Sequence, residues 1–448
     1  MEISDVRPYV AIVNAGSGCL IKPMTDQYIY LLTAKHNIED AGNVLERISL
    51  FSLAGGAWAR YEIEFPSFQE GLDYFPHPTK DIAIIKIMGD YPVHNDLYRD
   101  DRFSESPNGF NLLGYPEIRR NNAIEAEWYR LDNNVSVLDD RGEGMFEAMI
   151  PGNPGFDEVS GTSGGAIVKI IKGKAFLAGI QNRMAEDEEV LGRIRFTGIS
   201  AFEEIVALFP VELTVIFPAH LKSFSFLHNE CFNLHASINT GHIEYTKNFL
   251  KHKASEVVAS PLTPIGIKRL FEQRLLIFNQ PPSSLHDKTI WILWLEFLTI
   301  LNIMLENEYS EEAVKEIFNH TRFIFSSTDK DWCEELSNIV YSDYKGLKKG
   351  GAVVIGVSHP PFDEETYVLE KGIPSIATVF KKEKSGMERN LLQIDEGIKF
   401  PLEDFKFIHF EYFKKHAIIK KHGEYADIDD DEILLAKLRN EYQILLAP

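Results

Sequence analysis

The feature that most constrains the fold is a change of hydrophobic period partway along the 448-residue chain. From Pro8 to about Phe202 the apolar residues fall in short or alternating runs separated by turn residues. These runs occupy residues 9–13, 19–21, 28–32, 48–53, 58–65, 82–88 and 110–113, and then 127–131, 135–138, 145–150, 166–171, 175–180 and 194–199. Successive strand side chains point to opposite faces, so closely spaced runs of this kind predict a sandwich or barrel of short strands. Two similar β units joined near residues 116–124 are expected. After Pro210 the apolar residues recur at helical spacing, over 265–278, 285–305, 311–319 and 332–340, with Ser, Asp or Pro near several starts. Beyond Gly350-Gly351 come strand-like runs at 353–357, 376–380 and 405–410 and then a final helix over 430–446. The expected organisation is an all-β domain over 1–209, a mainly helical domain over 210–345 and a small α/β region over 346–448. The last two are allowed to form one domain.

Charge narrows the partners. A formal net charge of −21 opposes nucleic-acid binding, which needs clustered Lys and Arg on phosphates, and opposes docking on anionic membranes. A cationic partner or substrate is favoured. Cys19, Cys231 and Cys333 are odd in number and scattered, so they suggest neither a disulfide framework nor a metal site. The first residues, Met1 to Val6, lack a basic leader followed by an apolar core, and a cytoplasmic location is expected. The apolar stretch 290–305 is short for a bilayer and carries Glu296, so it is read as a buried helix. The acidic runs 186–189 and 429–432 are read as solvated loops or helix N-termini.

Three places carry chemistry. Ser160-Gly161-Thr162-Ser163-Gly164-Gly165-Ala166 frames a serine with glycines, which let backbone approach the hydroxyl and let N–H groups receive an oxyanion. Thr33-Ala34-Lys35-His36 places a histidine where an apolar strand ends, the position for a general base. Asp81 stands before the apolar run Ile82 to Ile87. Taken singly, these would be an ordinary turn, a surface histidine and a strand-initiating aspartate. The motif GxSxG also fits the nucleophile elbow of α/β-hydrolases, which requires a helix after the serine and its acid and histidine downstream. Here a β-branched run follows, turns at Lys172-Gly173-Lys174 and becomes apolar again, which is the pattern of a hairpin.

With His36, Asp81 and Ser163 in that chain order, residues 5–205 resemble the trypsin/chymotrypsin-like serine peptidases. Gly16-Ser17-Gly18, Leu113-Gly114-Tyr115-Pro116 and Phe176-Leu177-Ala178-Gly179-Ile180 add to the likeness. The resemblance implies two antiparallel β-barrels with the site between them and a protein or peptide substrate. Ser163 would be the nucleophile, His36 the base and Asp81 its orienting carboxylate, with Gly161 and Ser163 N–H groups as the oxyanion hole and no metal or organic cofactor required. Asp157, six residues before Ser163, would favour a basic side chain before the scissile bond. Gln181, Asn182 and Arg183, with Met184, would form the edge along which a substrate strand adds. Asp73, His77 and Asp90 lack both strand context and motif neighbours and are read as structural. Thr162 replaces the aspartate that pairs with a new N-terminus in many members, so N-terminal cleavage is not expected to be the switch.

Residues 210–448 present no motif of their own; His228, His235, His242, His359 and His409 lack ligand spacing. A peptidase unit followed by a larger region looks like bacterial cytoplasmic proteases whose appended domain senses a signal, some of them in defence systems. An activating partner or ligand for the C-terminal region follows from that likeness. The alternative is a protein-interaction scaffold with a vestigial triad.

Overall fold

The computed structural model describes residues 3–89, 97–99, 107–185, 191–234, 241–305, 309–327, 335–358, 405–425 and 427–446. The expected strand at 376–380, the acidic run 186–189, Asp90, Cys333, His235 and His359 lie outside these residues. The chain divides into two compact units, Met1–Pro218 and Ala219–Pro448.

The first unit is β-rich. Its opening strands are β1 (Val10–Val13), β2 (Gly16–Ile21), β3 (Tyr28–Thr33), β4 (Arg47–Ala54), β5 (Ala57–Glu64), β6 (Tyr74–Pro76) and β7 (Ala83–Met88). They form one sheet in the order β5-β4-β1-β2-β3-β7-β6. The following strands are β8 (Leu97–Arg99), β9 (Phe110–Gly114), β10 (Arg130–Gly142), β11 (Met145–Met149), β12 (Ala166–Ile171), β13 (Lys174–Met184) and β14 (Arg193–Gly198). Here β12-β9-β10-β11-β14-β13 closes on itself, because β13 also pairs with β12, and β8 adds in parallel to β13. The result is a six-stranded closed barrel. Closure is therefore found in one of the two sheets expected to be barrels: the end strands β5 and β6 of the first sheet do not pair with each other among the described residues.

The near-continuous apolar runs of the inner strands have a physical reason. In β3, Ile29 and Leu31 enter a core confined to the first sheet, whereas Tyr30 and Leu32 enter a second core shared with the barrel. In β12, Ala166 and Val168 face the shared core while Ile167 fills the barrel interior. Strands buried on both faces lose polar alternation. Two expected strands, 127–131 and 135–138, prove to be one: residues Glu125–Trp128 make a 3-10 turn and β10 then runs through irregularities after Asp132 and Val137. Short helices α1 (His36–Glu39), α2 (Glu117–Arg120) and α3 (Phe156–Val159) interrupt the strands, and α4 (Ser200–Leu208) follows β14. The expected junction between the β halves contains α2.

The second unit contains α5 (Ala219–Lys222), α6 (Gly241–Ala259), α7 (Pro264–Phe271), α8 (Lys288–Leu305), α9 (Glu311–His320) and α10 (Leu336–Val340). After these come α11 (Phe410–Lys414), α12 (His422–Tyr425) and α13 (Asp431–Leu446). A parallel sheet, β15 (Thr321–Ser326), β16 (Ala352–Val357) and β17 (Lys406–His409), links the expected helical and α/β regions. The helix expected over 265–278 stops earlier: Glu272 has a positive φ of 48°, and after a 3-10 turn the Ile277 N–H donates to Phe325 O in β15 at 3.1 Å. Capture by the sheet edge overrides helical periodicity there.

The hydrophobic α8 is packed inside this unit, and Glu296 at its centre is buried. Its carboxylate accepts from Lys414 Nζ at 2.7 Å and from the Phe232 N–H at 2.5 Å. Burial pushes the Glu296 carboxyl above its ordinary pKa. Burial opposes the Lys414 charge, but Glu296 and Glu411 outweigh it and raise that pKa. Removing one member leaves a buried charge unpaired. Lys414→Met should therefore lower stability at neutral pH by about 3 kcal/mol in denaturant unfolding. Part of this loss should be recovered as pH falls through the raised pKa of Glu296.

Candidate active site

Strand register brings His36 and Asp81 together. In the β3–β7 pairing Thr33 lies opposite Ala83, so a residue three past Thr33 and one two before Ala83 emerge at the same end of neighbouring antiparallel strands. His36 opens α1, whose first N–H groups have no partner within the helix. Asp81 serves both needs: Oδ1 accepts from the His36 backbone N–H at 3.0 Å and Oδ2 pairs with ring Nδ1 at 2.8 Å. An ionised carboxylate only accepts, so Nδ1 carries the hydrogen and Nε2 of the neutral ring is left as a base. Both side chains are about a third exposed, 35% and 38%. Burial works against the imidazolium, yet the Asp81 hydrogen bond and charge, with Asp40 and Glu39, raise the His36 pKa above its ordinary value.

Ser163 sits between α3 and β12, in a loop anchored to the first sheet. The Ser17 N–H donates to Ser163 O at 2.7 Å, and Asn37 Nδ2 donates to the same oxygen at 2.8 Å. Ser17 Oγ donates to Gly161 O at 3.0 Å. Gly164 has φ 91°, and a Cβ there would run into the Ser17 carbonyl, so only glycine fits this approach. The hairpin of β12 and β13 follows the serine directly, leaving no place for the helix that a nucleophile elbow needs.

Two peptide groups beside the serine are pinned through their carbonyls. Ser160 O accepts from the Glu117 N–H at 2.8 Å, and Thr162 O accepts from the Gly165 N–H at 2.6 Å. In planar trans peptides the following N–H groups, those of Gly161 and Ser163, point the opposite way. Neither donates to a protein acceptor among the described residues. A groove of about 490 Å³ is lined by Gly161, Ser163 and His36 together with Gln181, Asn182 and Arg183.

The hydroxyl of Ser163 donates to the Asn182 carbonyl at 2.7 Å, and no hydrogen bond joins it to His36. Asn182 also donates from Nδ2 to the Asp81 carbonyl and accepts at Oδ1 from Thr197 Oγ1 at 2.9 Å. Asn182 thus links Ser163, Asp81 and the barrel wall. Asp157 is exposed on α3 and is not among the groove-lining residues, while Glu158 accepts from the Gly155 N–H at 3.0 Å at the start of that helix. Thr162 is buried and donates to Val159 O at 2.6 Å, with Gln181 Oε1 at 3.1 Å. Of the residues read as structural, His77 pairs with Glu204 at 3.0 Å and Asp73 accepts from the Gln69 N–H at 3.1 Å.

Sequence reasoning missed Asn37 and Arg120. Asn37 could have been suspected as the neighbour of His36. Nothing in the sequence marks Arg120, whose partly buried guanidinium donates to the carbonyls of Tyr115 (2.5 and 2.8 Å), Asn14 (3.1 Å), Gly16 (2.8 Å) and Gly161 (3.0 Å). Burial pushes its pKa down to about 10, with Glu117 opposing the shift. This fork holds the loop that carries Gly161.

If Asp81 controls the imidazole, Asp81→Asn should lower the His36 pKa from its raised value, because burial then acts with less opposition. NMR titration of the ring resonances checks this; an unchanged or higher pKa would refute the assignment.

No curated protein matches the chain. The family described as C-terminal domain 4 of the ABC-three component (ABC-3C) systems matches residues 196–419, half of the 448-residue chain. The match begins in β14 and extends through β15, β16 and β17. The chain therefore belongs to the ABC-three component family carrying C-terminal domain 4.

Proposed function

We propose that the N-terminal unit is a trypsin-like serine endopeptidase acting in the cytoplasm as an effector of an ABC-3C system, with its cleavage governed through the C-terminal domain. One observation carries the reading: a single Asp81 carboxylate receives both N–H groups of His36, in the groove that Ser163 and two undedicated N–H groups also line. In the reaction, His36 Nε2 takes the Ser163 proton as Oγ attacks a peptide carbonyl, and the N–H groups of Gly161 and Ser163 receive the oxyanion. The imidazolium, steadied by Asp81, then protonates the leaving amine. Water repeats the sequence on the acyl-enzyme and regenerates the serine. Membership of an ABC-3C system supports protein partners and is consistent with a role in bacterial defence or signalling.

The hydrogen bond from Ser163 to Asn182 O favours a restrained ground state. Rotation of Oγ toward His36 would be the activating step, and a signal received by the C-terminal domain would shift that population. The same hydrogen bond is the observation that favours the second reading, a protein-interaction scaffold with a vestigial triad.

A fluorophosphonate probe separates the two. The peptidase reading expects labelling of wild type and none of Ser163→Ala, with Asp81→Asn lowering turnover by about 10⁴-fold. Because the base must be neutral, activity should be lost as pH falls through the raised His36 pKa, and Asp81→Asn should move that acid limb lower. Absence of labelling in the full chain, in residues 1–218 and with the other system components present would favour the scaffold.

A further inference from the structure

The N–H groups beside Ser163 alternate in their use. Those of Thr162 and Gly164 donate to the protein, to Val159 O at 2.9 Å and Gln181 O at 2.6 Å, whereas those of Gly161 and Ser163 do not. The carbonyls from Ser160 to Ser163 are all held. Ser17 serves Gly161 O and Ser163 O, each with a second donor, and Gly165 serves Thr162 O. Ser160 O depends among the described residues on the Glu117 N–H at the start of α2, at 2.8 Å. The Ser160–Gly161 peptide is also able to turn over. Gly161 has φ 84° and no side chain to resist rotation, and a reversed plane would put the Ser160 carbonyl where the N–H now lies. A Cβ built on Gly161 would stand 2.6 Å from the Glu117 nitrogen, so α2 lies directly against the peptide it holds.

The short helix α2 lacks the usual means of staying in place. None of its four residues is fully buried, and its apolar side chain, Ile118, is 53% exposed. Arg119 donates to Tyr129 O at 2.7 Å from an exposed position. Arg120 does more: its guanidinium reaches Asn14 O and Gly16 O in the first sheet, Tyr115 O just past β9, and Gly161 O in the loop. A planar fork of donors can join several segments at once, which a single ammonium cannot reproduce.

We propose that α2 is the latch of the oxyanion site: Arg120 fixes α2 to both sheets, and the Glu117 N–H then keeps the Gly161 N–H turned into the groove. The inference rests on the reading of that groove as a peptidase cleft. Arg120 does not line the groove, so it is a positioning residue. Its loss should remove stabilisation of the developing oxyanion and leave the pairing of His36 with Asp81 intact.

Two substitutions strike the latch at different points. Glu117→Pro deletes the donor, at a first helical position that otherwise accepts proline. Arg120→Lys keeps the charge and removes the fork. The readout in full-length protein is the rate at which a fluorophosphonate labels Ser163, whose phosphoryl oxygen gains charge as Oγ attacks and fluoride leaves. That rate should fall about 100-fold in Glu117→Pro and by a smaller factor in Arg120→Lys. Arg119→Ala should stay within about two-fold of wild type. The His36 titration should be unmoved in all three, which separates loss of the latch from general loosening of the site. A wild-type rate in Glu117→Pro or Arg120→Lys, an equal loss in Arg119→Ala, or a shifted His36 titration would overturn the proposal and leave the peptidase reading standing. A wild type that is never labelled would remove the peptidase reading instead. The latch is then read from the Gly161 amide signal under selective Ser/Gly isotope labelling: splitting or broadening in Arg120→Lys supports it, and an unchanged single signal refutes it.

Discussion

The arrangement of the site depends on one close backbone approach, that of Ser17 in β2 to the loop from Gly161 to Gly164. Ser17 N–H meets Ser163 O, Ser17 Oγ meets Gly161 O and also accepts from the Tyr115 N–H at 2.9 Å, and Gly164 presses against the Ser17 carbonyl. Through these contacts a strand of the first sheet sets the height of a loop belonging to the closed barrel. Asn37 and Arg120 reinforce it from two further directions. A serine hydroxyl and an imidazole carried on different sheets can meet only if the sheets hold a fixed relation, and these bonds, over the shared apolar core, supply that rigidity.

The second unit is organised on different physics. Its parallel sheet is covered by helices, and its most apolar helix accepts a carboxylate at its centre only because Lys414 and the Phe232 N–H meet that carboxylate. Such a pair restricts how α8 and α11 can pack, since a shifted register would leave the buried Glu296 carboxylate without its cation. Half the chain matches a domain of the multi-component ABC-3C systems.

The fold was legible where burial is simple. Residues 29–32 and 82–85 were readable as parts of strands because every residue there serves one core or another. Helix α6 was missed because its sequence, Gly241–Ala259, is largely polar, and β15 was missed because Thr321–Ser326 begins with Thr-Arg and is short. Arg322 in that strand is nevertheless fully buried, its guanidinium satisfied by the carbonyls of Asp343 and Lys345. The early end of α7 followed from hydrogen bonding to β15, which no local pattern reports.

By itself the sequence determined the change from strand to helical period and the residue types available for chemistry, since both are properties of side chains and their spacing. That His36 and Asp81 share two hydrogen bonds was decided by the β3–β7 register, which sets residues 45 positions apart side by side. Tertiary structure alone decided that the barrel closes, that Asp157 stands outside the groove and that Ser163 bonds to Asn182. The physical reason is the same in each case: a hydrogen bond or a pocket wall depends on the distance between segments remote in the chain, and local periodicity carries no information about that distance.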